Sequence, residues 1–127
     1  ANLRLIAVGA TGTDNVDVLS ARERGIAVCN VPGYATFSVA QYTIALILEL
    51  ATQAARYAQG TRMGHWQEST IFTRHDYPSF ELQGRVLGIV GYGNIGRKVA
   101  EMAHAFGLRV IVAARGGEDR SQPARLR

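Results

Sequence analysis

The most constraining feature of this chain is six residues long, Gly91-Tyr-Gly-Asn-Ile-Gly96, set between the β-favouring run Arg85-Val-Leu-Gly-Ile-Val90 and a helical segment over 94–106. In that segment Ile95, Val99, Met102, Ala103 and Phe106 share one face, and Gly107 supplies a stop. Residues 109–114 then read as a further strand, so 85–114 form a β-α-β unit. In that context each glycine has a physical task. Gly91 permits the tight turn, Gly93 lets the backbone approach a pyrophosphate without a Cβ in the way, and Gly96 lets helix and strand pack closely. The phosphates would meet the N–H groups of Asn94 and Ile95 at the positive end of the helix dipole. The alternative is a glycine-rich turn needed only for packing.

A dinucleotide fingerprint also predicts an acid about 20 residues on, at the end of the next strand, where it holds the ribose 2′-OH. Here the strand ends Val110-Ile-Val-Ala-Ala114-Arg115. With Ala114 in place of an acid and Arg115 beside it, the sequence permits NADP as well as NAD. A solvated Arg115, with NAD held by other contacts, is the other reading.

Upstream, residues 3–31 read as a first β-α-β unit: a strand over 3–8, the loop Gly9-Ala-Thr-Gly12, a helix over 16–24 capped by Asp14 or Asn15 and stopped by Gly25, and a strand over 26–31 closed by Pro32-Gly33. Residues 38–59 predict a long helix with Gly60 as its stop. Its apolar residues run nearly all the way round, which predicts burial on most faces, between domains or subunits or inside one core. Residues 60–84 lose periodicity and predict an irregular connecting arm anchored against something. Residues 116–127 have no periodicity and are expected to be frayed or truncated. The first residue is not Met and a strand follows almost at once, so an upstream segment is expected.

Composition removes several function classes. Of fourteen basic residues, Arg115, Arg120, Arg125 and Arg127 crowd into the last thirteen positions with only Glu118 and Asp119, so the tail carries half of the +4 net charge and the basic balance gives little support to nucleic-acid binding. Cys29 is the single cysteine, so no disulfide framework or thiolate cage can form, which fits a reducing cytoplasmic setting. The longest apolar stretch, residues 39–55, is interrupted by Gln41, Glu49 and Gln53 and makes a poor membrane span. No signal peptide is evident.

Taken in order, Gly9-Ala-Thr-Gly-Thr-Asp-Asn-Val-Asp17, Gly25-Ile-Ala-Val-Cys-Asn-Val-Pro-Gly33, Thr36-Phe-Ser-Val-Ala-Gln41, Gly64-His-Trp66, Glu81-Leu-Gln-Gly84 and Leu87-Gly-Ile-Val-Gly-Tyr-Gly-Asn-Ile-Gly96 resemble the D-isomer-specific 2-hydroxyacid dehydrogenases. The resemblance extends to about Arg115. It implies an α/β chain: the end of a flavodoxin-like substrate domain (1–34), then the first half of a Rossmann dinucleotide-binding domain (35–127). It also implies a homodimer, with the helix and arm supplying contacts, and a small 2-hydroxy or 2-oxo acid as substrate. By the same resemblance the backbone amides of Thr11 and Gly12 hold the substrate carboxylate, as exposed N–H groups of a glycine loop can. An ordinary strand-to-helix turn is the plainer reading of that loop.

The family's catalytic arginine, glutamate and histidine are expected beyond Arg127, so no catalytic residue is assigned here and the chain alone is expected to be inactive. His65, His75 and His104 do not match the catalytic position, and His75-Asp76 is a poor acid-base pair because adjacent loop residues seldom face one another. No metal site is assigned. The Val-Cys-Asn-Val-Pro-Gly-Tyr and Val-Ile-Val-Ala-Ala-Arg segments lean toward the glycerate and hydroxypyruvate branch. The alternatives are a non-catalytic, nucleotide-sensing interaction protein similar to corepressors of this fold, or another enzyme with a similar cofactor domain, such as an adenosylhomocysteine hydrolase or alanine dehydrogenase.

Overall fold

The computed structural model describes residues 2–113; Ala114, Arg115 and the tail over 116–127 lie outside them. The chain divides into two compact units, residues 1–36 and 37–127.

In the first unit, β1 (Leu5–Ala7) and β2 (Ala27–Cys29) pair in parallel through the helix α1 (Val18–Glu23), with Ile6 opposite Val28. The strands are shorter than the apolar runs, and bonds from Ala27 N–H to the Arg4 carbonyl (2.9 Å) and from Val8 N–H to the Cys29 carbonyl (2.8 Å) carry the pairing one residue further at each end of β1. The helix is capped by Asp17, not by Asp14 or Asn15. A turn closed by Val16 N–H on the Thr13 carbonyl (2.9 Å) uses up residues 13–16 and delays the helix start. Asp17 accepts Ser20 N–H at 2.9 Å and the Ser20 hydroxyl at 2.7 Å. The backbone bond from Ser20, first, and then the hydroxyl bond hold the Asp17 carboxyl below the usual carboxylate range.

From the last residue of the first unit onward, the expected long helix is two helices, α2 (Thr36–Thr52) and α3 (Ala54–Arg62). They are separated at Gln53, which takes a left-handed conformation (φ 55°). The Glu49 carboxylate then accepts Ala55 N–H at 3.2 Å, closing the new helix start. Gly60 does not stop α3 but lies buried in its last turn, where a Cβ would stand 3.1 Å from His65 Nδ1. The stop is Gly64, with His65 N–H on the Gly60 carbonyl (3.0 Å) and Gly64 N–H on the Thr61 carbonyl (3.1 Å). The same paired bonds end α1 at Gly25 and α4 (Asn94–Ala105) at Gly107.

β3 (Val86–Val90) and β4 (Arg109–Ala113) form a parallel pair across α4, from Val86 opposite Arg109 to Val90 opposite Ala113. Their inward residues Leu87, Ile89 and Val110 pack against the core made by Ala40 and Ile44 of α2, Val99 and Ala103 of α4, and Leu108. The outward residues Val86, Val90 and Ile111 are exposed. α2 is likewise only partly covered: Ala40, Ile44 and Ala51 are buried, whereas Phe37, Tyr42, Leu46 and Leu50 are exposed. Among the described residues, the burial on most faces expected of this helix is therefore not met.

The arm is anchored as anticipated, chiefly on α3. The Tyr57 hydroxyl donates to the Tyr77 carbonyl (3.0 Å) and accepts Tyr77 N–H (3.2 Å). Their rings meet edge to face at 5.1 Å, with the Arg56 guanidinium 4.0 Å from the Tyr77 ring centre. Further along, Phe80 N–H reaches the Ala51 carbonyl at 2.9 Å, satisfying a group in the last turn of α2.

Candidate functional site

Gly91 and Gly93 lie in the turn between β3 and α4, and Asn94, Ile95 and Gly96 are the first three residues of α4. Gly91 has φ 93°, a conformation that side chains with a Cβ avoid, and its N–H closes the ladder on the Ala113 carbonyl at 3.3 Å. At Gly96 a Cβ would lie 2.3 Å from the Gly91 carbonyl oxygen and 3.3 Å from Ile89 Cγ2, so this position admits no side chain without backbone movement. At Gly93, by contrast, a Cβ would meet nothing within 4 Å. Gly93 is also the N-cap of α4 and has no side chain to bond to the first turn. No side chain at position 93 closes those N–H groups, the helix dipole stands behind them, and a larger side chain there would intrude on an approaching anion. This arrangement fits a dinucleotide pyrophosphate.

Arg97 braces this turn, a role that its sequence position hints at only by following the third glycine directly. Its N–H bonds to the Gly93 carbonyl at 3.0 Å, and its Nε donates to the Tyr92 carbonyl at 3.2 Å. Its guanidinium lies 5.7 Å from the Tyr92 ring centre.

In the first unit, the loop over 9–12 leaves β1 and is tied to the end of β2. Val31 N–H holds the Ala10 carbonyl at 3.0 Å, Asn30 Nδ2 donates to the Thr11 carbonyl at 2.8 Å, and the Thr11 hydroxyl donates to the Val31 carbonyl at 3.3 Å. A trans peptide directs its C=O and N–H to opposite sides. Holding the carbonyls of Ala10 and Thr11 on the β2 side thus turns the N–H groups of Thr11 and Gly12 away from it. Both residues are exposed. Nothing in the local pattern marks Asn30 for this role, since its bond spans nineteen positions.

The histidines contribute no acid-base pair. The Asp76 carboxylate is taken by Arg74, with Nε at 2.7 Å and Nη2 at 2.9 Å, instead of by His75. The hydrogen bond from Arg74 holds the Asp76 carboxyl below its usual range. Arg74 Nη1 also donates to the His65 carbonyl, tying the arm back to the end of α3. His104 lies on α4, and its carbonyl accepts Gly107 N–H. Among the described residues, no cluster of three or more His, Cys, Asp or Glu side chains could hold a metal ion, and no helix is long and apolar enough to cross a membrane. Arg115 lies outside the described residues.

Comparison with known proteins agrees with this geometry. A family model describing the NAD binding domain of D-isomer specific 2-hydroxyacid dehydrogenases matches residues 44–126. The chain is 42% identical over 110 residues to a hydroxypyruvate reductase of Blautia hydrogenotrophica, covering 87% of this chain and 34% of that protein. It is 41% identical over 110 residues to a glycerate dehydrogenase of Methylorubrum extorquens, covering 87% and 35%. Among solved structures, the TT0316 protein of Thermus thermophilus superposes with a TM-score of 0.81 at 40% identity, over 95% of this chain and 38% of that one. The chain spans about a third of the length of the curated relatives it matches. With strand, glycine turn, helix and strand all lying inside the matched span, the second unit carries a β-α-β of the Rossmann dinucleotide-binding kind, and the chain belongs to the D-isomer specific 2-hydroxyacid dehydrogenases.

Proposed function

We propose that this chain is part of an oxidoreductase that moves a hydride between NAD or NADP and a small D-2-hydroxy or 2-oxo acid of the glycerate or hydroxypyruvate kind. The observation that carries the reading is the N-terminus of α4, whose N-cap Gly93 makes no side-chain bond and where an added Cβ would meet nothing within 4 Å, inside the span matched by the NAD-binding family. When bound, the nicotinamide supplies or accepts the hydride.

The part played by this chain is binding. The N–H groups of Asn94 and Ile95 take the pyrophosphate, Gly93 keeps its approach clear, and Gly91 and Gly96 hold the turn in shape. The amides of Thr11 and Gly12 grip the carboxylate of the acid. Arg115, with no acid at Ala114, pairs with a 2′-phosphate and admits NADP. The proton-transferring histidine, its orienting glutamate and the carbonyl-polarising arginine are assigned to parts of the enzyme outside this chain, so the chain alone is inactive. The exposed Phe37, Tyr42, Leu46 and Leu50 of α2 support a homodimer contact. The same reading places the enzyme in the cytoplasm, with neither membrane nor nucleic acid as partner.

The test is the steady-state oxidation of NADH and NADPH by the intact protein with hydroxypyruvate and with glyoxylate. Turnover with either acid is the expected result, and an NADPH preference lost in Arg115→Ala assigns that residue. Tight nucleotide binding with no turnover would overturn the enzyme reading and favour a nucleotide-sensing interaction protein of the same fold.

A further inference from the structure

We propose that Asn30 is a positioning residue that aims the Gly12 amide at the carboxylate of the acid substrate. The inference rests on the reading of Thr11 and Gly12 given above and adds to it the group that sets their direction.

The loop over 9–12 has no helix to align its peptides. It leaves a three-residue strand, and α1 begins only at Val18, with Asp17 already bonded to its first turn. Direction must therefore come from bonds to the carbonyl side of each peptide. The Ala10–Thr11 peptide is held by the backbone, through Val31 N–H at 3.0 Å, a bond any residue at position 31 other than proline could make. The Thr11–Gly12 peptide is held by a side chain, Asn30 Nδ2, at 2.8 Å. One of the two amides is thus fixed by the fold and the other by a replaceable group. With the Thr11 carbonyl released, the peptide can rotate, because Gly12 resists rotation less than any other residue. Its N–H then spends part of its time turned from the anion, and an exposed amide gains from a carboxylate only while it faces it.

The chemistry of the Asn30 amide makes the proposal separable from a packing role. Asparagine donates through Nδ2. Aspartate has nearly the same shape but, when ionised, only accepts, and it would set a carboxylate against the Thr11 carbonyl oxygen. Once protonated, the same aspartate can donate again.

The experiment measures KM and kcat for hydroxypyruvate, together with the Kd for NADH, in the intact wild-type protein, Asn30→Ala and Asn30→Asp. The expected result is a KM raised about tenfold in Asn30→Ala, the size of one lost charge-assisted hydrogen bond. KM should rise at least as far in Asn30→Asp at neutral pH, with kcat changed much less and the Kd for NADH unchanged in both. In Asn30→Asp the KM ratio to wild type should shrink as pH falls toward the carboxyl range, whereas in Asn30→Ala it should stay flat. An unaltered KM in both variants overturns the proposal. So does a rise shared equally by KM and the NADH Kd, which is the mark of general destabilisation, or a pH-independent ratio in Asn30→Asp. A wild-type protein that binds NADH but reduces no 2-oxo acid overturns the substrate reading beneath it, and the role of Asn30 with it.

Discussion

The two β-α-β units share a connectivity and differ in how they treat the start of the helix. In the first, Asp17 places its own carboxylate on the N-terminus of α1, so the helix end is closed by an internal anion, and the exposed amides are those of a loop tied to β2. In the second, the N-cap is Gly93, which makes no side-chain bond to the first turn of α4, and the proposed function gives that N-terminus to an external anion. The lesson concerns direction. Where a twelve-residue helix follows the turn, peptide alignment comes with the helix. Where only a six-residue helix follows, after a long loop, alignment must be supplied by contacts from elsewhere in the chain.

The largest expected effect breaks the second unit's turn. A glycine in the first turn of a helix would ordinarily gain up to about 1 kcal/mol on becoming alanine. At Gly96 the added Cβ falls 2.3 Å from the Gly91 carbonyl oxygen, a backbone atom that cannot move without opening the β3–α4 packing. Gly96→Ala should lose about 2 to 3 kcal/mol of stability, the upper part of the usual cost of forced overpacking, and dinucleotide binding with it. Denaturant unfolding of the intact protein with and without NADH measures both. A variant as stable as wild type would mean that the close approach is not enforced.

Gly93→Ala sharpens the same comparison. Its Cβ meets no protein atom within 4 Å, so stability should change by less than about 1 kcal/mol, the scale of a modest N-cap change. Dinucleotide Kd should nonetheless rise about tenfold or more, because the methyl group intrudes where the proposed function brings the pyrophosphate. Smaller still is Arg97→Ala, which releases the Tyr92 carbonyl from an exposed 3.2 Å bond and should weaken NADH binding about threefold while leaving the KM for the acid unchanged. Asn30→Ala and Arg97→Ala should therefore fail on different ligands. Were both to weaken the same one, the two anion grips would not be separate.

Much of this contrast is legible in the sequence, and the parts that are not have a common cause. The strand, glycine turn, helix and strand of the second unit follow from periodicity and glycine spacing, because each of those signals is local. The cap falls at Asp17, later than the sequence suggests, because a turn over residues 13–16 intervenes. Gly60 reads as a stop, yet it is a small residue accommodating His65, and the stop comes four residues later at Gly64. The break at Gln53 carries neither glycine nor proline to announce it. It becomes intelligible only with the Glu49 carboxylate on Ala55 N–H and Phe80 N–H on the Ala51 carbonyl, the latter spanning nearly thirty residues. Asn30 is hidden for the same reason, since its partner lies nineteen residues back. What composition and spacing cannot reveal is which distant group satisfies a given carbonyl.

The smallest effect expected concerns the closed helix end. Bonded to the Ser20 backbone N–H and hydroxyl, the Asp17 carboxyl titrates below its unfolded value, so its contribution to stability is fully present above the ordinary aspartate range of about 3.9 and is lost as pH falls through the lowered folded value. An asparagine in its place would keep an N-cap acceptor but have no proton to take up in that window. Asp17→Asn should thus differ little from wild type at pH 7 yet flatten the acid side of the stability curve, whereas Asp17→Ala should lower stability at neutral pH and leave acid stability close to wild type. Thermal unfolding followed from pH 7 to pH 3 reads this directly. If Asp17→Ala is no less stable at pH 7, the carboxylate does not close α1, and the contrast between a helix end closed from within and one left open at Gly93 fails on its first side.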